Sequence, residues 1–247
     1  MECDQAYAEG SGKMRILITG ANRGLGFELS KLALSEGHSV FAGAYVPDGM
    51  ADLEKLKEKY PEKLEIIQLD VANDISVTDA VKKIETKTGA LDALVNNAGI
   101  LLNKNKRIDE LEIEELRRSF EINTFGPYRV LKSLLPLLYK GENKVIINIS
   151  SEASSITNVG INYCSYSMSK VALTMMNQMF ANLLKDQGFS VYAVHPGRMN
   201  TQMGKDTAQI EPSESAVGIL AIITGKLKPK IEGGVWFVNY RGEPMKL

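Results

Sequence analysis

Short runs of β-branched and apolar residues alternate with helix-length amphipathic segments along almost the whole chain. This alternation is typical of successive βαβ units, in which helices cover both faces of a parallel sheet. The predicted fold class is therefore α/β, a single doubly wound parallel sheet of about seven strands with helices on both faces. Strands are predicted near residues 14–19, 38–43, 64–69, 91–95, 143–149, 189–194 and 234–239.

Three segments depart from this simple alternation. The stretches 96–107 and 196–211 lack a regular pattern, and each follows a predicted strand. Because ligands of open α/β sheets bind at the carboxyl ends of the strands, both stretches are candidates for a functional site. The segment Ile108–Tyr139 has a helical pattern but contains Pro127 and Pro136, which predicts a kink or a break.

The chain divides into a short polar start and one domain. Residues 1–13 are small, polar and glycine-containing, and we interpret them as a flexible N-terminal extension or a cloning remnant. Residues 14–247 carry the whole alternation without a linker, repeat or low-complexity tract. A length of 247 residues with 44% hydrophobic positions is sufficient for one substantial core.

Composition argues against several classes of function. The 29 basic and 30 acidic residues give a net charge of −1 and form no basic stripe, so nucleic acid is not an expected partner. Cys3 and Cys164 are far apart and have no metal-ligand spacing, so we expect no disulfide, no metal site and a reducing, cytoplasmic location. No apolar run is long enough to span a bilayer, and no membrane partner is expected.

A glycine-rich turn, Thr19–Gly26, follows the first predicted strand and leads into a helix over about residues 25–35. Its glycines permit a tight turn and a close backbone approach to a diphosphate, while the amides at the helix N-terminus supply hydrogen-bond donors. This arrangement predicts the phosphate cradle of a Rossmann-type dinucleotide-binding domain. A strand-to-helix turn without a ligand is the competing interpretation.

The end of the second strand bears on the choice of dinucleotide. An acidic residue there would hydrogen-bond the ribose hydroxyls of NAD, but the strand ends in Ala44 and Tyr45, and Asp48 lies beyond a proline. Arg23, in the glycine-rich turn, could meet a 2′-phosphate. These features favour NADP(H). An arginine at position 45 would have made a firmer case, so NAD(H) is still possible.

Tyr166 and Lys170 are the most informative pair in the chain. They lie four residues apart in a predicted helix, so they share one face and the ammonium group can favour the ionised phenol. A tyrosine so placed can exchange a proton near neutral pH. Alone, the pattern is common, and an aromatic side chain on an apolar face beside a solvated lysine is the competing interpretation.

These motifs, in this order, make the chain closely resemble the single-domain branch of the short-chain dehydrogenase/reductase family, from Met14 to the C-terminus. Thr19–Gly26 resembles the family's glycine turn, and Asn96–Gly99 resembles its Asn-Asn-Ala-Gly motif. The ending 236–242 and the long loop before Tyr166 are similar to those of sniffer-like and C-factor-like carbonyl reductases. Further matches are Asp70-Val71, Asn123, Ser150-Ser151, Lys170, Pro196-Gly197 and Thr201.

The motifs and the resemblance together define a predicted cofactor site. Asp70 could accept a hydrogen bond from an adenine amino group or merely cap the next turn. The resemblance implies that Thr201 and the backbone near Met199 hold the nicotinamide carboxamide. The predicted cofactor-binding residues are Gly20, Asn22, Arg23, Gly24, Leu25, Gly26, Tyr45, Asp70, Val71, Asn97, Ala98, Gly99, Tyr166, Lys170, Pro196, Gly197, Met199 and Thr201.

The position of the catalytic serine is ambiguous in the sequence. The resemblance points to Ser151, which lies fifteen residues before Tyr166, whereas the commoner family spacing is thirteen and leads to Ala153, which has no hydroxyl. Alignment on the end of the fifth strand retains Ser151 and implies a longer loop. Ser150 and Ser154 are the alternatives.

The resemblance implies an oxidoreductase that moves a hydride between NADP(H) and a small-molecule carbonyl or secondary alcohol, with carbonyl reduction the expected direction. Tyr166 is then the proton donor and acceptor, Ser151 orients the substrate oxygen, and Lys170 lowers the pKa of the phenol and holds the nicotinamide ribose. Moving a tyrosine pKa from about 10 toward 7 requires roughly 4 kcal/mol. Asn123 is expected to anchor a relay water near Lys170.

Two other classes of function agree less well with the sequence. A dinucleotide-binding signalling or regulatory protein with little turnover would not need Ser151, Tyr166 and Lys170 together. An epimerase or dehydratase would need a larger substrate domain than this chain provides.

His195 ends the sixth strand without a nucleophile motif and is interpreted as structural. The pocket residues are mixed in character and do not define the substrate.

The helix after Tyr166 carries more apolar positions than one core-facing stripe needs. Family resemblance implies a homodimer or homotetramer, and ordinary core packing is the competing interpretation. The positions concerned are Met168, Met175, Met176, Met179 and Phe180.

Overall fold

One seven-stranded parallel sheet forms the centre of the computed structural model, which describes residues 12–45, 50–204 and 207–247. Its strands are β1 Arg15–Thr19, β2 Ser39–Ala44, β3 Leu64–Gln68, β4 Ala93–Asn96, β5 Val145–Ile149, β6 Ser190–His195 and β7 Phe237–Asn239. They lie side by side in the order β3-β2-β1-β4-β5-β6-β7, and every neighbouring pair is parallel. The predicted fold class is confirmed.

Helices cover both faces of this sheet. Their bounds are α1 Gly24–Ser35, α2 Ala51–Lys59, α3 Asp74–Thr88, α4 Ile113–Phe120, α5 Gly126–Tyr139, α6 Cys164–Leu184 and α7 Pro212–Ile223. Helices α1, α2 and α7 contribute to one apolar cluster, and α3, α5 and α6 contribute to the other. The chain therefore builds two hydrophobic layers, one on each side of the strands.

Strand β1 shows how the sequence divides between these layers. Successive side chains of a strand point to opposite faces of the sheet. Ile16 and Ile18 accordingly lie in the cluster with α1 and α7, whereas Leu17 lies in the cluster with α3 and α5, and all three are buried. Burial on both faces explains why the strand reads as a continuous apolar run.

The order of the strands places a crevice at the carboxyl end of β1. The chain runs outward from β1 to β2 and β3, and then returns to the other side of β1 as β4. Such a reversal leaves a crevice outside the carboxyl ends of the strands, because the two flanking connections diverge. The two irregular stretches predicted as site candidates, 96–107 and 196–211, follow β4 and β6 at this edge.

Predicted boundaries differ most from the structure at β7. The sequence predicts a strand over 234–239, but β7 begins only at Phe237. Gly233 and Gly234 both adopt positive φ, 59° and 75°, in a turn closed by the hydrogen bond from the Val235 N–H to the Glu232 carbonyl. Left-handed backbone conformations of this kind are incompatible with an extended strand.

The segment Ile108–Tyr139 shows no break at its prolines, because the backbone stays helical from α4 into α5. Helix α4 ends at Phe120, a π-helical turn covers Glu121–Phe125, and α5 follows directly. Pro127 lies in the first turn of α5, directly after the π-helical turn, and has no N–H to continue its hydrogen bonds. Pro136 lies inside α5, which continues through it.

Residues 1–11 of the predicted extension, and Asp48 in the loop after β2, lie outside the described residues. In the three ranges that are described, no helix is long and apolar enough to cross a membrane.

Candidate active site

The glycine-rich turn is held in place by hydrogen bonds from the neighbouring strand end. The Thr19 hydroxyl oxygen accepts from the backbone N–H groups of Asn97 and Ala98, at 3.0 and 2.9 Å. The Asn97 side-chain amide donates to the carbonyl oxygens of Thr19 and Gly20, at 2.9 and 3.1 Å. The motifs after β1 and β4 therefore form one rigid unit.

The glycines of this turn are required by its shape. Gly20 and Gly24 adopt positive φ, 63° and 55°, which other residues rarely adopt. A Cβ atom on Gly26 would lie 2.3 Å from the Gly20 carbonyl oxygen and 2.6 Å from the Asn97 side-chain nitrogen. Helix α1 begins at Gly24, so its first amides lie against this bare backbone. The arrangement fits a diphosphate group.

A cleft of about 2000 Å³ runs along the carboxyl edge of the sheet and begins at this turn. Two predicted site residues do not line the cleft: Gly26 packs behind the turn, and Asn123 lies buried behind the cleft wall. The predicted residues that do line it are Gly20, Asn22, Arg23, Gly24, Leu25, Tyr45, Asp70, Val71, Asn97, Ala98, Gly99, Ser151, Tyr166, Lys170, Pro196, Gly197, Met199 and Thr201.

The end of β2 presents Tyr45, and not Ala44, to the cleft. Tyr45 is 63% exposed and lines the cleft, whereas Ala44 is 2% exposed and belongs to the core. Arg23 is also exposed, and one of its guanidinium N–H groups donates to the Gln202 side-chain oxygen at 2.5 Å. Arg23 therefore contacts the loop after β6 as well as facing the cleft.

Asp70 performs the turn-capping role that the sequence left open. One of its carboxylate oxygens accepts from the Ala72 N–H at 2.9 Å, which stabilises the turn after β3. Asp70 also lines the cleft, and its contact with an adenine group stays a prediction.

Tyr166 and Lys170 lie on one face of α6, as predicted. The Lys170 ammonium nitrogen is 5.6 Å from the centre of the Tyr166 ring and donates to the Ile149 carbonyl at 2.7 Å. Lys170 is almost completely buried. The hydrogen bond thus attaches α6 to the carboxyl end of β5.

Burial dominates the ionisation of both groups. It raises the pKa of Tyr166 to about 12; a hydrogen bond with Ser151 acts in the opposite direction, and the charge of Glu152 adds to the rise. Burial lowers the pKa of Lys170 to about 8. Desolvation of the phenolate is therefore the largest influence on this group in the structure described. The lowering of the phenol pKa by Lys170 stays a prediction.

The hydroxyl groups of the three candidate serines make different contacts. Ser150 is buried and shares a 2.7 Å hydrogen bond with the Thr174 hydroxyl, pointing into the α6 packing. Ser154 is also buried, and its hydroxyl donates to the Ser151 carbonyl at 2.8 Å. Ser151 lines the cleft, and its hydroxyl is near enough to Tyr166 to act on the pKa of the phenol. Of these three hydroxyls, only that of Ser151 is placed to meet a substrate oxygen.

Asn123 lies in the π-helical turn and fixes the loop after β4. Its side-chain oxygen accepts from the Ile100 N–H at 2.8 Å, and its amide donates to the Ile100 carbonyl and the Ser169 hydroxyl at 2.9 and 3.0 Å. These contacts occupy the side chain. A relay water anchored by Asn123 would therefore have to bind its main-chain carbonyl group.

The loop after β6 closes over the glycine-rich turn. The Thr201 methyl group would be 3.5 Å from a Cβ atom on Gly24, and the Thr201 hydroxyl accepts from the Gly204 N–H at 3.2 Å. Met199 pairs with Ile210 in an isolated bridge that closes the base of the loop. Thr201 and Met199 therefore lie beside the predicted cofactor path.

Sequence reasoning missed a charged pair in this cleft, Glu152 and Arg198, which are joined by two hydrogen bonds. One contact agrees with the interpretation of His195 as a structural residue: its Nδ1 accepts a hydrogen bond from the Glu152 N–H at 3.1 Å. The sequence did contain a local indication that both residues lie near the site: Glu152 directly follows Ser151, and Arg198 directly follows Pro196-Gly197.

Among the described residues, no group of three or more His, Cys, Asp or Glu side chains could hold a metal ion.

The fold and the cleft define a dinucleotide-binding α/β protein, and comparisons with known proteins identify its family. The profile of short chain dehydrogenases matches residues 14–212. An uncharacterized oxidoreductase of Schizosaccharomyces pombe is 31% identical, over 94% of this chain and 97% of the relative. The chain belongs to the short-chain dehydrogenase family, as predicted.

Two solved structures are similar over nearly the whole chain. The NADPH-bound carbonyl reductase from chicken fatty liver has a TM-score of 0.86 and 28% identity, covering 96% of this chain and 100% of that one. The carbonyl reductase Sniffer of D. melanogaster has a TM-score of 0.86 and 30% identity with the same coverage. The predicted resemblance to sniffer-like reductases is thus confirmed.

Proposed function

We propose that the protein reduces small-molecule carbonyl compounds with NADPH, and that residues 14–247 form one cofactor-binding catalytic domain. The observation that carries the proposal is the convergence of Ser151, Tyr166 and Lys170 beside the glycine-rich turn in one cleft. The carbonyl reductases among its structural relatives support the reaction type. The reducing cytoplasm stays the predicted location, from the two cysteines alone.

The residues at the glycine-rich turn fit a dinucleotide. The N-terminal amides of α1 and the bare backbone of Gly20 and Gly24 would bind the diphosphate, and Asp70 and Val71 would face the adenine. Lys170 would bind the nicotinamide ribose, while Thr201 and the backbone near Met199 would bind the carboxamide. When bound, NADPH supplies the hydride for reduction.

Tyr166 suits the reductive direction because of its raised pKa. A phenol with a pKa of about 12 is fully protonated at neutral pH, so it is ready to donate a proton to the alkoxide that forms on the substrate carbon. Ser151 orients the carbonyl oxygen and then stabilises the resulting phenolate, and Lys170 adds positive charge on the same helix face. Alcohol oxidation would need the phenolate beforehand, which burial disfavours.

The rival function is a dinucleotide-binding regulatory protein with little turnover. A panel of aldehydes, ketones and keto esters, assayed by the loss of NADPH absorbance, separates the two. Turnover of at least one class is expected. NADPH binding without turnover of any class would favour the regulatory protein.

We propose that NADPH binds more tightly than NADH, because Arg23 lies at the glycine-rich turn and Tyr45 occupies the place of an NAD-selecting carboxylate. A charge-assisted contact to a phosphate contributes about 1.5 to 3 kcal/mol, a preference of roughly tenfold to a hundredfold. Tyr45→Asp should abolish or reverse this preference by placing a negative charge on the cleft wall. Position 44 is unsuitable for this test, because a carboxylate there would be buried in the core.

Fluorescence titration with both cofactors, at one ionic strength, checks this prediction. Tyr139→Asp is the control for the added charge, because Tyr139 is 43% exposed and lies outside the cleft. Equal affinities for NADPH and NADH in the native protein would contradict the assignment of Arg23.

Self-association is proposed through the outer face of α6. Met175, Met179 and Leu183 recur every four residues and are 59%, 66% and 63% exposed, so they form an apolar stripe that the core does not use. Ordinary core packing explains Met168, Met176 and Phe180, which are partly buried. Light scattering at micromolar concentration should give a dimer or tetramer, and Met179→Glu should shift it toward monomer. A monomeric native protein would refute the proposal.

A further inference from the structure

The charged pair Glu152 and Arg198 lines the cleft beside Ser151, and neither side chain donates a proton in the reaction described above. The Arg198 Nε and Nη2 groups donate to the two carboxylate oxygens of Glu152, at 2.6 and 3.2 Å. Both side chains line the cleft; that of Arg198 is 46% exposed and that of Glu152 is 39% exposed. The pair therefore joins the loop after β5 to the loop after β6 within the cleft.

Main-chain contacts fix both ends of this pair. The Glu152 N–H donates to His195 Nδ1 at 3.1 Å, and the Arg198 carbonyl accepts from the N–H groups of Gln209 and Ile210 at 2.7 and 3.2 Å. Glu152 also begins a short helical turn that is capped by the side chain of Ser151. The backbone positions are thus fixed, and the side-chain contact is the part that can change.

Glu152 occupies the carboxylate-binding face of Arg198. A guanidinium group has five N–H donors in a planar fork, which binds a carboxylate through two parallel hydrogen bonds. Glu152 takes such a pair of donors. A carboxylate on a substrate would meet a like charge at Glu152 and would find this face of Arg198 already filled.

We propose that the Glu152–Arg198 pair determines substrate specificity by excluding 2-oxo acids, so that the protein acts on uncharged ketones, aldehydes and keto esters. The inference rests on the proposed carbonyl reduction. Glu152 directly follows Ser151, which would orient the carbonyl oxygen, and Arg198 follows the Pro196-Gly197 segment of the cofactor site. A charged group attached to the carbonyl carbon would therefore face the pair.

Other charged residues line the cleft and must be held constant in a test. Lys104, Arg117 and Arg118 attract anions from the loop after β4 and from α4, and Glu114 and Glu121 repel them. These residues act on a substrate in the native protein and in a Glu152 variant alike. A ratio of two matched substrates, compared between variants, cancels their contribution.

The test uses Glu152→Gln with methyl benzoylformate and benzoylformate, which differ in one negative charge. The ratio of kcat/KM for the acid to that for the ester should rise roughly tenfold or more, because Arg198 becomes available to the substrate carboxylate. The double variant Glu152→Gln/Arg198→Met should lose this rise. Asp109→Asn is the matched control: it removes the charge from an equally bidentate contact with Arg107 that lies outside the cleft, and the ratio should stay at the native value.

A binding measurement makes the test independent of turnover. In calorimetric titrations of the protein with NADP⁺ present, benzoate should bind at least tenfold more tightly to Glu152→Gln than to the native protein. Failure of the native protein to reduce any keto ester would contradict the proposed function. Tighter benzoate binding by the variant would still support the exclusion of carboxylates by the Glu152–Arg198 pair. Unchanged benzoate binding, or an equal rise of the kcat/KM ratio in the double variant, would overturn it.

Discussion

Tyr166→Phe should lower kcat for carbonyl reduction by about a thousandfold, within the range that a positioned proton donor contributes. The variant keeps the ring and loses only the hydroxyl that meets Ser151. Because the ring still fills its place in the cleft, the dissociation constant for NADPH should remain near the native value. Steady-state kinetics and a fluorescence titration measure the two quantities.

Tyr139→Phe is the control for this substitution. Tyr139 is partly exposed at the end of α5, stacks edge-on against Phe189 and lies outside the cleft. Its variant should keep native turnover. Near-native turnover in Tyr166→Phe as well would mean that another group supplies the proton.

Lys170→Met should abolish turnover and weaken NADPH binding, while stabilising the fold at neutral pH. Burial lowers the Lys170 pKa from 10.5 to about 8, so the charged form opposes folding at pH 7 by about 3 kcal/mol. Loss of the hydrogen bond to Ile149 offsets part of the gain, which leaves a net increase of about 1 to 2 kcal/mol in the free energy of unfolding. Urea unfolding at pH 7 measures it.

The pH dependence of stability gives the same prediction an independent check. Between pH 8 and 10 the unfolded chain retains a proton on Lys170 that the folded chain has lost, so the stability of the native protein should rise with pH in this window. Above pH 10 the raised pKa of Tyr166 acts in the opposite direction, because the folded chain then holds the extra proton. Lys170→Met should lack the rise, whereas Lys185→Met, which changes an exposed lysine, should keep it. Destabilisation of Lys170→Met at pH 7 would show that the buried charge is compensated.

Features that depend on local spacing could be predicted from the sequence. The glycine-rich turn follows from glycines at fixed intervals after a β-patterned run, and the shared face of Tyr166 and Lys170 follows from the helical repeat. The sheet itself follows from apolar runs that are buried on both faces. Each of these needs only residues that are close together in the chain.

Features that depend on tertiary packing could not be predicted. The choice between Ser150 and Ser151 depends on Thr174, which lies on a different element. The contact between Glu152 and Arg198 joins residues 46 positions apart. The motifs beside each residue indicate that it lies near the cleft, but they do not indicate that the two side chains meet. The raised pKa of Tyr166 depends on burial, which a sequence motif does not report. At the end of β2, Ala44 is buried and the next residue, Tyr45, is exposed. A difference of one residue in register therefore decides which side chain faces the cleft.

Transfer of deuterium from the cofactor tests the central claim most directly. NADPH deuterated at C4 of the nicotinamide, on the face that is transferred, should give an alcohol carrying deuterium on the former carbonyl carbon, detected by mass spectrometry. Native protein should produce it with a keto ester such as methyl benzoylformate, and Tyr166→Phe should produce almost none in the same time. A protein that binds NADPH but transfers no deuterium from either face to any carbonyl of the panel would contradict the account.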